Sequence, residues 1–259
     1  MIFEYNFPFG ISQLQIKSAE QISTNLLEDL SVLIETFQFE LNHNLINSSA
    51  YVLNNTQVGL SAFVRPELID FIKYSMKVLK QSKSILNPFK NYSTEDPFLS
   101  YVISYKDNIV MRKDNIFFNS NLLNKVFIIG KVNQFLLEKR IKSYLLISES
   151  IQSSYGNYRW NTHFFIHELN EQINFKLYNQ SSILESIEIS EQTKPTKFAN
   201  VGKPLLINKI IIIGDDLTKL KIISNKTSGL RFKFDFEQLK SREGVNLILI
   251  DSNNEVIAI

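Results

Sequence analysis

Residues 206–213 read Leu-Ile-Asn-Lys-Ile-Ile-Ile-Ile and are followed by Gly214 and Asp215. A short, nearly continuous apolar run that stops at turn-forming residues is typical of a strand buried in a sheet. Two further apolar segments, Val245 to Ile250 and Val256 to Ile259, flank a polar turn and predict a hairpin. This part of the chain therefore predicts a sheet with a deeply buried strand.

Weaker strand patterns lie upstream and between these segments. Ile11 to Lys17 alternates apolar with polar residues, and Ser143 to Ser148 is typical of a buried strand. Trp160 to His167 and Ile173 to Leu177 predict a pair of strands. In 230–236 phenylalanines alternate with charged residues, which predicts one more strand with a single buried face.

Three segments have the 3.6-residue periodicity of amphipathic helices. They cover residues 19–41, 66–83 and 122–140. Ser18 and Gln21 have the spacing of a capping box before the first helix, and Pro66 suits the first turn of the second. The polar, Asn-rich residues 42–59 predict a loop that could contain short strands.

The order of these elements predicts the fold class. Helices and strands do not alternate regularly as they do in a doubly wound parallel sheet. We therefore expect an α+β fold with mixed sheets packed against helices. The length suits a single domain over residues 1–259.

The composition excludes several classes of function. The 28 basic and 26 acidic residues give a net charge of +2, so the chain lacks the electrostatic signature of a nucleic-acid-binding protein. The absence of cysteine excludes disulfides, cysteine-ligated metal centres and thiol catalysis. The 8 glycines include no G-x-G pair and no P-loop pattern, which argues against the common nucleotide-binding loops.

The sequence also predicts a location. No secretory signal is recognisable at the N-terminus, and no apolar run approaches the roughly 18 residues that a membrane-spanning helix needs. We therefore expect a cytoplasmic protein without a membrane span.

Three groups of polar residues are site candidates by residue type. His163 and His167 have a metal-like spacing, but they lie in a strand pattern without a third ligand, which favours a structural or surface role. Asp215 and Asp216 either ligate magnesium at the end of the apolar strand or cap a following helix, and capping is favoured. A basic cluster near the third helix either binds phosphate or forms a solvated face, the commoner case. The cluster comprises Lys125, Lys131, Lys139, Arg140 and Lys142.

Several short segments occur in a recognisable order along the chain. Phe9-Gly10-Ile11 precedes a strand, and Thr36-Phe37-Gln38-Phe39 and Leu53-Asn54 lie at and after the end of the first helix. Asn119 to Ile141 covers the third helix, and Asn200-Val201-Gly202-Lys203-Pro204 precedes the apolar strand. In order and spacing these segments resemble the motifs of the ApbE-type FAD:protein FMN transferases, also called thiamine biosynthesis lipoproteins.

The resemblance implies an ApbE-like fold with a site for FAD. In that family a Ser or Thr hydroxyl of a target protein takes up FMN from FAD, AMP leaves, and magnesium polarises the phosphoryl group. The resemblance therefore implies FAD as cofactor and a flavin-accepting protein as partner. The cofactor-binding positions that it implies are Gly10, Asn54, Lys125, Ser190, Gly202 and Pro204.

The chain departs from the family at positions that matter for this chemistry. Asn121-Leu122 stands where the family has Gly-Gly, and Ser148-Glu149-Ser150 stands where it has Gly-Gly-Asp. The metal-binding motif falls on residues 220–225, with Lys221 at the ligating aspartate and Asn225 at the ligating threonine. Because an ammonium group repels a cation, these residues argue against a metal site there.

Two hypotheses for the function follow from the matches and the departures. The first is a flavin transferase with an altered metal site, in which Lys221 supplies a fixed positive charge or Asp215 and Asp216 replace the ligands. The second is a catalytically inactive relative that acts as a flavin-binding or protein-interaction module. The loss of the motifs favours the second hypothesis with respect to catalysis.

Overall fold

A computed structural model describes residues 1–82, 86, 89–90, 101–104, 107–113, 117–166, 170–187, 207–227, 230, 232–251 and 253–259. Within these ranges the helices are α1 (Thr24–Glu40), α2 (Ser49–Asn55), α3 (Pro66–Gln81), α4 (Asn124–Glu138), α5 (Leu217–Thr227) and α6 (Lys233–Glu243). The strands are β1 (Phe3–Phe9), β2 (Ser12–Ser18), β3 (Ser61–Phe63), β4 (Phe89–Lys90), β5 (Tyr101–Ser104), β6 (Ile109–Arg112), β7 (Phe117–Phe118), β8 (Tyr144–Ser148), β9 (Ile151–Tyr155), β10 (Trp160–Ile166), β11 (Glu171–Leu177), β12 (Ser181–Ile187), β13 (Ile207–Gly214), β14 (Asn246–Asp251) and β15 (Val256–Ala258). The predicted α+β class is confirmed.

One large sheet contains the apolar run as strand β13. Its strand order is β1-β2-β8-β9-β12-β13-β14-β15. Strand β13 pairs antiparallel with β12 on one side and with β14 on the other, so the run is buried as predicted. The predicted hairpin β14-β15 and the predicted pair β10-β11 are also present, both antiparallel. Smaller sheets have the orders β3-β6-β5 and β4-β7.

The contacts within the chain divide it into two compact units. Unit 1 comprises residues 1–6, 12–21 and 141–259, and unit 2 comprises residues 7–11 and 22–140. The single domain predicted for residues 1–259 stays a prediction. None of the described helices combines the length and hydropathy that crossing a bilayer requires.

In unit 1 the ribbon β10-β11 contributes to the core of the large sheet. Trp160 and Phe164 of the ribbon pack with Leu145, Ile183 and Ile211 of the sheet, and all five side chains are buried. The alternation of the strands explains this arrangement, because every second side chain points to the same face. Helix α5 packs against β12 and β13, and α6 packs against β14.

The core of unit 2 is built around aromatic rings. Phe127 of α4 lies 5.1 Å from Phe71 of α3 and 5.4 Å from Phe37 of α1, measured between ring centroids. Phe71 in turn lies 5.6 Å from Phe118 of β7. The edge-to-face geometry of these pairs adds to the free energy gained by burying the rings. The aromatic cluster joins three helices to the short strand β7.

The strand predicted at 230–236 is wrong, because helix α6 begins at Lys233. Phe236 is fully buried while Phe234 is 55% exposed, so the burial does not follow the alternation of the phenylalanines. The Asp235 carboxylate accepts the Phe232 N–H at the start of the helix, and Gly244 ends it with a left-handed φ of 64°. Basic residues followed by glycine are a usual signal of a helix C-terminus, and this signal is present in the sequence.

Two predictions near α1 are also wrong. Residues 42–59 contain α2, whose first turn is capped by the Ser48 hydroxyl accepting the Tyr51 N–H at 3.1 Å. Ser18 and Gln21 form no capping box, because Ser18 ends β2 and α1 begins only at Thr24. The Ser18 hydroxyl instead accepts the N–H of Glu20 at 3.2 Å. The predicted helices at 66–83 and 122–140 are confirmed as α3 and α4.

Candidate functional site

Gly10 lies in the turn between β1 and β2, where φ is +65°. Its N–H donates to Gln38 Oε1 at 2.6 Å, and Gln38 Nε2 donates to the Pro8 carbonyl at 3.1 Å. The last turn of α1 therefore holds this turn through one amide side chain. Glycine suits the position because the left-handed conformation costs it little.

Asn54 lies near the end of α2 and binds the backbone of β7. Its Nδ2 donates to the Phe118 carbonyl at 2.8 Å, and its Oδ1 accepts the Phe118 N–H at 2.8 Å. Both polar atoms of the Asn54 amide therefore form hydrogen bonds to the backbone of one residue, Phe118. This arrangement fixes the start of the segment that leads into α4.

Lys125 lies in the first turn of α4. The side chain of the N-cap residue Leu123 makes no capping hydrogen bond to the first turn of α4. That turn also contains no acidic residue. Asn124 Oδ1 accepts the Lys125 N–H at 2.6 Å, so a side-chain bond already occupies that amide. The positive end of a helix next to an ammonium group is an environment that stabilises an anion.

Hydrogen bonds connect the segments that carry these three residues. Ser120 donates its hydroxyl to the Leu41 carbonyl after α1 at 2.6 Å, and its own carbonyl accepts the Asn124 N–H at 2.9 Å. Gly10, Asn54 and Lys125 therefore all belong to one hydrogen-bonded part of unit 2. The other implied positions, Ser190, Gly202 and Pro204, lie outside the described residues.

The missing glycines have visible consequences before α4. The Asn121 N–H donates to Asn119 Oδ1 at 3.0 Å, and the Leu122 side chain is 44% exposed. Side chains thus stand where the resemblance would place bare backbone, and one amide of the turn is already bonded. A phosphate meets fewer available N–H groups here than a Gly-Gly turn would offer.

Helix α5 carries the positions that the resemblance assigns to the metal. Asn225 Nδ2 donates to the Lys221 carbonyl at 3.0 Å, which turns this amide toward its own helix. Asp216 Oδ1 accepts the Lys219 N–H at 3.1 Å and caps the helix, as the favoured alternative predicted. Among the described residues no three His, Cys, Asp or Glu side chains are grouped so that they would hold a metal ion. The side chains of α5 therefore supply no carboxylate to a magnesium ion.

The other described candidates lie in strand β10 or on and after helix α4. His163 lies on an exposed position of β10, as the strand pattern predicted, and His167 lies outside the described residues. Lys131 forms an ion pair of 2.7 Å with Asp70 and lies 5.4 Å from the centroid of the Phe127 ring. Of the basic cluster, Lys125 alone occupies the first turn of a described helix.

Sequence patterns gave no indication of a buried carboxylate that organises unit 2. Glu40, 5% exposed at the end of α1, accepts the Ser49 N–H at 2.9 Å and pairs with Arg65 Nε at 3.1 Å. The Arg65 N–H donates to the Ser49 hydroxyl at 2.9 Å, so the ends of three helices meet at this point. No local signal predicts such a group, because its partners come from different parts of the chain.

Solved structures share this fold. The chain matches the apo form of the flavinyl transferase ApbE from Pseudomonas stutzeri with a TM-score of 0.70 at 9% identity, over 100% of this chain and 95% of that chain. It matches the ApbE protein from Thermotoga maritima with a TM-score of 0.72 at 11% identity, over 100% and 97% of the two chains. The flavin transferase ApbE from Vibrio cholerae matches with a TM-score of 0.67 at 9% identity, over 100% and 97%. No family model and no curated protein matches the sequence.

These matches show the fold. The chain has the ApbE-like fold that the order of its motifs predicted, over its full length. The identities of 9–11% fit a divergent sequence.

Proposed function

We propose that this protein binds a flavin nucleotide, FAD, without magnesium, and acts as a flavin-binding or protein-interaction module. The observation that carries the proposal is the likeness to flavin transferase structures along the whole chain, combined with an α5 whose side chains include no carboxylate. The shared fold supports binding of a flavin, and the residues of α5 argue against binding of magnesium.

The first turn of α4 fits the phosphate groups of such a ligand. Lys125 contributes an ammonium group at the positive end of a 15-residue helix, and the first turn contains no carboxylate to repel an anion. Gly10 adds a turn in which a side chain would meet nothing within 4 Å, so the space beside its Cα is open. We expect Lys125 to contribute more to binding than any other described residue of unit 2.

A second candidate function is flavin transfer itself. In that reaction a Ser or Thr oxygen of a partner protein bonds to the FMN phosphorus, the bond to AMP breaks, and AMP leaves. Lys221, at the position of the metal-ligating aspartate and half-buried on α5, supports this candidate as a fixed positive charge. A single ammonium group does not template two phosphoryl oxygens as a metal does, so any transfer is expected to be slow.

Calorimetric titration with FAD, with and without magnesium, tests the proposal. We expect saturable binding whose Kd changes less than about twofold when magnesium is added. The variant Lys125→Ala should raise the Kd about tenfold. Lys139→Ala, which removes an exposed lysine at the other end of the same helix, is the matched control and should leave the Kd unchanged.

Each contrary outcome has a definite meaning. Absence of FAD binding would overturn the flavin proposal and leave a fold reused for protein contacts. Binding strengthened about tenfold or more by magnesium would contradict the metal-free site and favour the transferase. Release of AMP from FAD, measured by chromatography in the presence of a hydroxyl-bearing partner protein, would then identify the transfer reaction.

A further inference from the structure

A second candidate site lies in unit 1, at the open end of the β8-β9 hairpin. A groove of about 600 Å³ is lined there by Lys142, Ser143, Tyr155, Gly156, Asn157, Asn179 and Gln180. Its volume falls within the roughly 300–1,000 Å³ that is usual for small-molecule sites. The groove is formed by residues 142–143, 155–157 and 179–180 of unit 1, whereas Gly10, Asn54 and Lys125 belong to unit 2.

The backbone that forms the groove is fixed by Gly156. This residue has a φ of +82°, and a Cβ on it would lie 1.9 Å from the Lys142 carbonyl oxygen. The Gly156 carbonyl accepts the Asn179 N–H at 3.0 Å, which joins the two loops that line the groove. The groove therefore exists because position 156 has no side chain, and its two walls are held together by the backbone.

Tyr155 lines the groove, and its ring packs against a second aromatic ring. Its ring stacks on Tyr144 with centroids 5.5 Å apart and planes inclined by 22°. Tyr144 is fully buried, and burial raises the pKa of its hydroxyl, so this second ring stays neutral. A ring backed in this way keeps a fixed orientation, which suits stacking on a flat ligand.

The groups around the groove define a ligand class. Lys142 brings a positive charge for a phosphate, and Asn157, Asn179 and Gln180 bring donors and acceptors for polar ring edges. The described lining residues include no carboxylate. The carboxylate of Glu20 lies nearby and accepts the backbone N–H of Lys142. An anion that combines a phosphate with a flat heterocycle satisfies all three kinds of group.

We propose that this groove binds a nucleoside monophosphate, with the phosphate at Lys142 and the base against Tyr155. The probes are AMP and UMP, titrated into the full chain by calorimetry, with adenosine and ribose 5-phosphate as partial ligands. We expect Lys142→Ala to weaken AMP binding about tenfold and to leave adenosine binding unchanged. Tyr155→Leu should weaken AMP about tenfold or more, whereas Tyr155→Phe, which keeps the ring, should retain the affinity.

The contrary outcomes separate this site from the flavin site. AMP binding that is lost in Lys125→Ala but intact in Lys142→Ala would overturn the groove proposal and leave the FAD proposal standing. Absence of saturable binding up to about 10 mM AMP would overturn the groove proposal as well. If the same preparations bind AMP but do not bind FAD, the flavin proposal alone would be overturned. Circular dichroism of each variant verifies that it is folded.

Discussion

Gly156 illustrates how one residue fixes the local path of the backbone. Its positive φ and the carbonyl of Lys142 both exclude a side chain, for independent reasons. Gly130, in α4, is exposed, and a Cβ on it would meet no atom within 4 Å. The two glycines therefore form a matched pair, one required by the fold and one not.

The substitution Gly156→Ala should lower the free energy of unfolding by about 3 kcal/mol, because steric overlap adds to the strain of a left-handed alanine. Gly130→Ala should raise it by up to about 1 kcal/mol, since alanine is the better helix former. Urea denaturation followed by circular dichroism measures both. A Gly156→Ala protein as stable as the wild type would show that the backbone between Lys142 and Gly156 relaxes.

At the scale of elements, Asn54 links α2 to β7 through two hydrogen bonds to Phe118. Asn54→Asp should destabilise the protein by about 2 kcal/mol, because a carboxylate oxygen would then face the Phe118 carbonyl. The adjacent Asn55→Asp is the control, since Asn55 is exposed and its amide donates to the Tyr51 carbonyl of its own helix. Comparable losses in the two variants, measured by urea denaturation, would contradict a specific link between α2 and β7.

Helices α5 and α6 are joined by Lys226 and Glu243, whose Nζ and Oε1 atoms lie 2.9 Å apart. The hydrogen bond from Lys226 holds the pKa of Glu243 below its ordinary value of 4.5, although burial opposes it. A depressed folded pKa stabilises the protein above the unfolded pKa, and this stabilisation is lost as the pH falls through the folded pKa. Lys226→Met should therefore lower the free energy of unfolding by about 1 kcal/mol near pH 7. The difference in this free energy between variant and wild type should narrow below about pH 4.5.

The control for this pair is Lys233→Met, which removes a lysine 3.9 Å from Glu237 on the exposed surface of α6. This substitution should change the free energy of unfolding by less than about 0.5 kcal/mol, both at pH 7 and at pH 3. A difference for Lys226→Met that stays constant from pH 7 to pH 3 would argue against an ionic contribution from Glu243.

The elements that the sequence predicted best are those whose burial alone determines their structure. Strand β13 and helix α3 have strong apolar patterns, and both were predicted. Helix α6 was predicted as a strand because Phe232 and Phe234 alternate with charges, although burial selects Phe236 and Leu239 instead. Helix α2 escaped prediction because part of its stabilisation comes from Glu40, nine residues before its start.

The candidate site was predictable only in part. Residue type and spacing indicated the capping role of Asp216, because it depends only on the first turn of a helix. Lys125 was singled out by the family resemblance, and its role in binding stays a prediction. The hydrogen bonds of Asn54 to Phe118 and of Ser120 to Leu41 connect residues far apart in sequence. Such partners depend on the tertiary fold and leave no local pattern.

At the scale of the whole molecule, β1 runs without a break from unit 1 into unit 2. The chain also passes between the units after residues 11, 21 and 140. We therefore predict that residues 1–259 unfold as one domain in a single cooperative transition. Scanning calorimetry should give equal calorimetric and van't Hoff enthalpies, and two resolved transitions would contradict the single domain.

The pairing of β2 with β8 has a consequence for biosynthesis. Gln15 lies opposite Ile147, and Ser18 lies opposite Tyr144, so the first strands remain without this neighbour until much later residues are made. The whole of the chain from residue 19 to 143 leaves the ribosome before this pairing forms, and such distant contacts form slowly. The N-terminal hairpin therefore lacks its neighbour for much of synthesis, and the large sheet is completed only after β8 has been made.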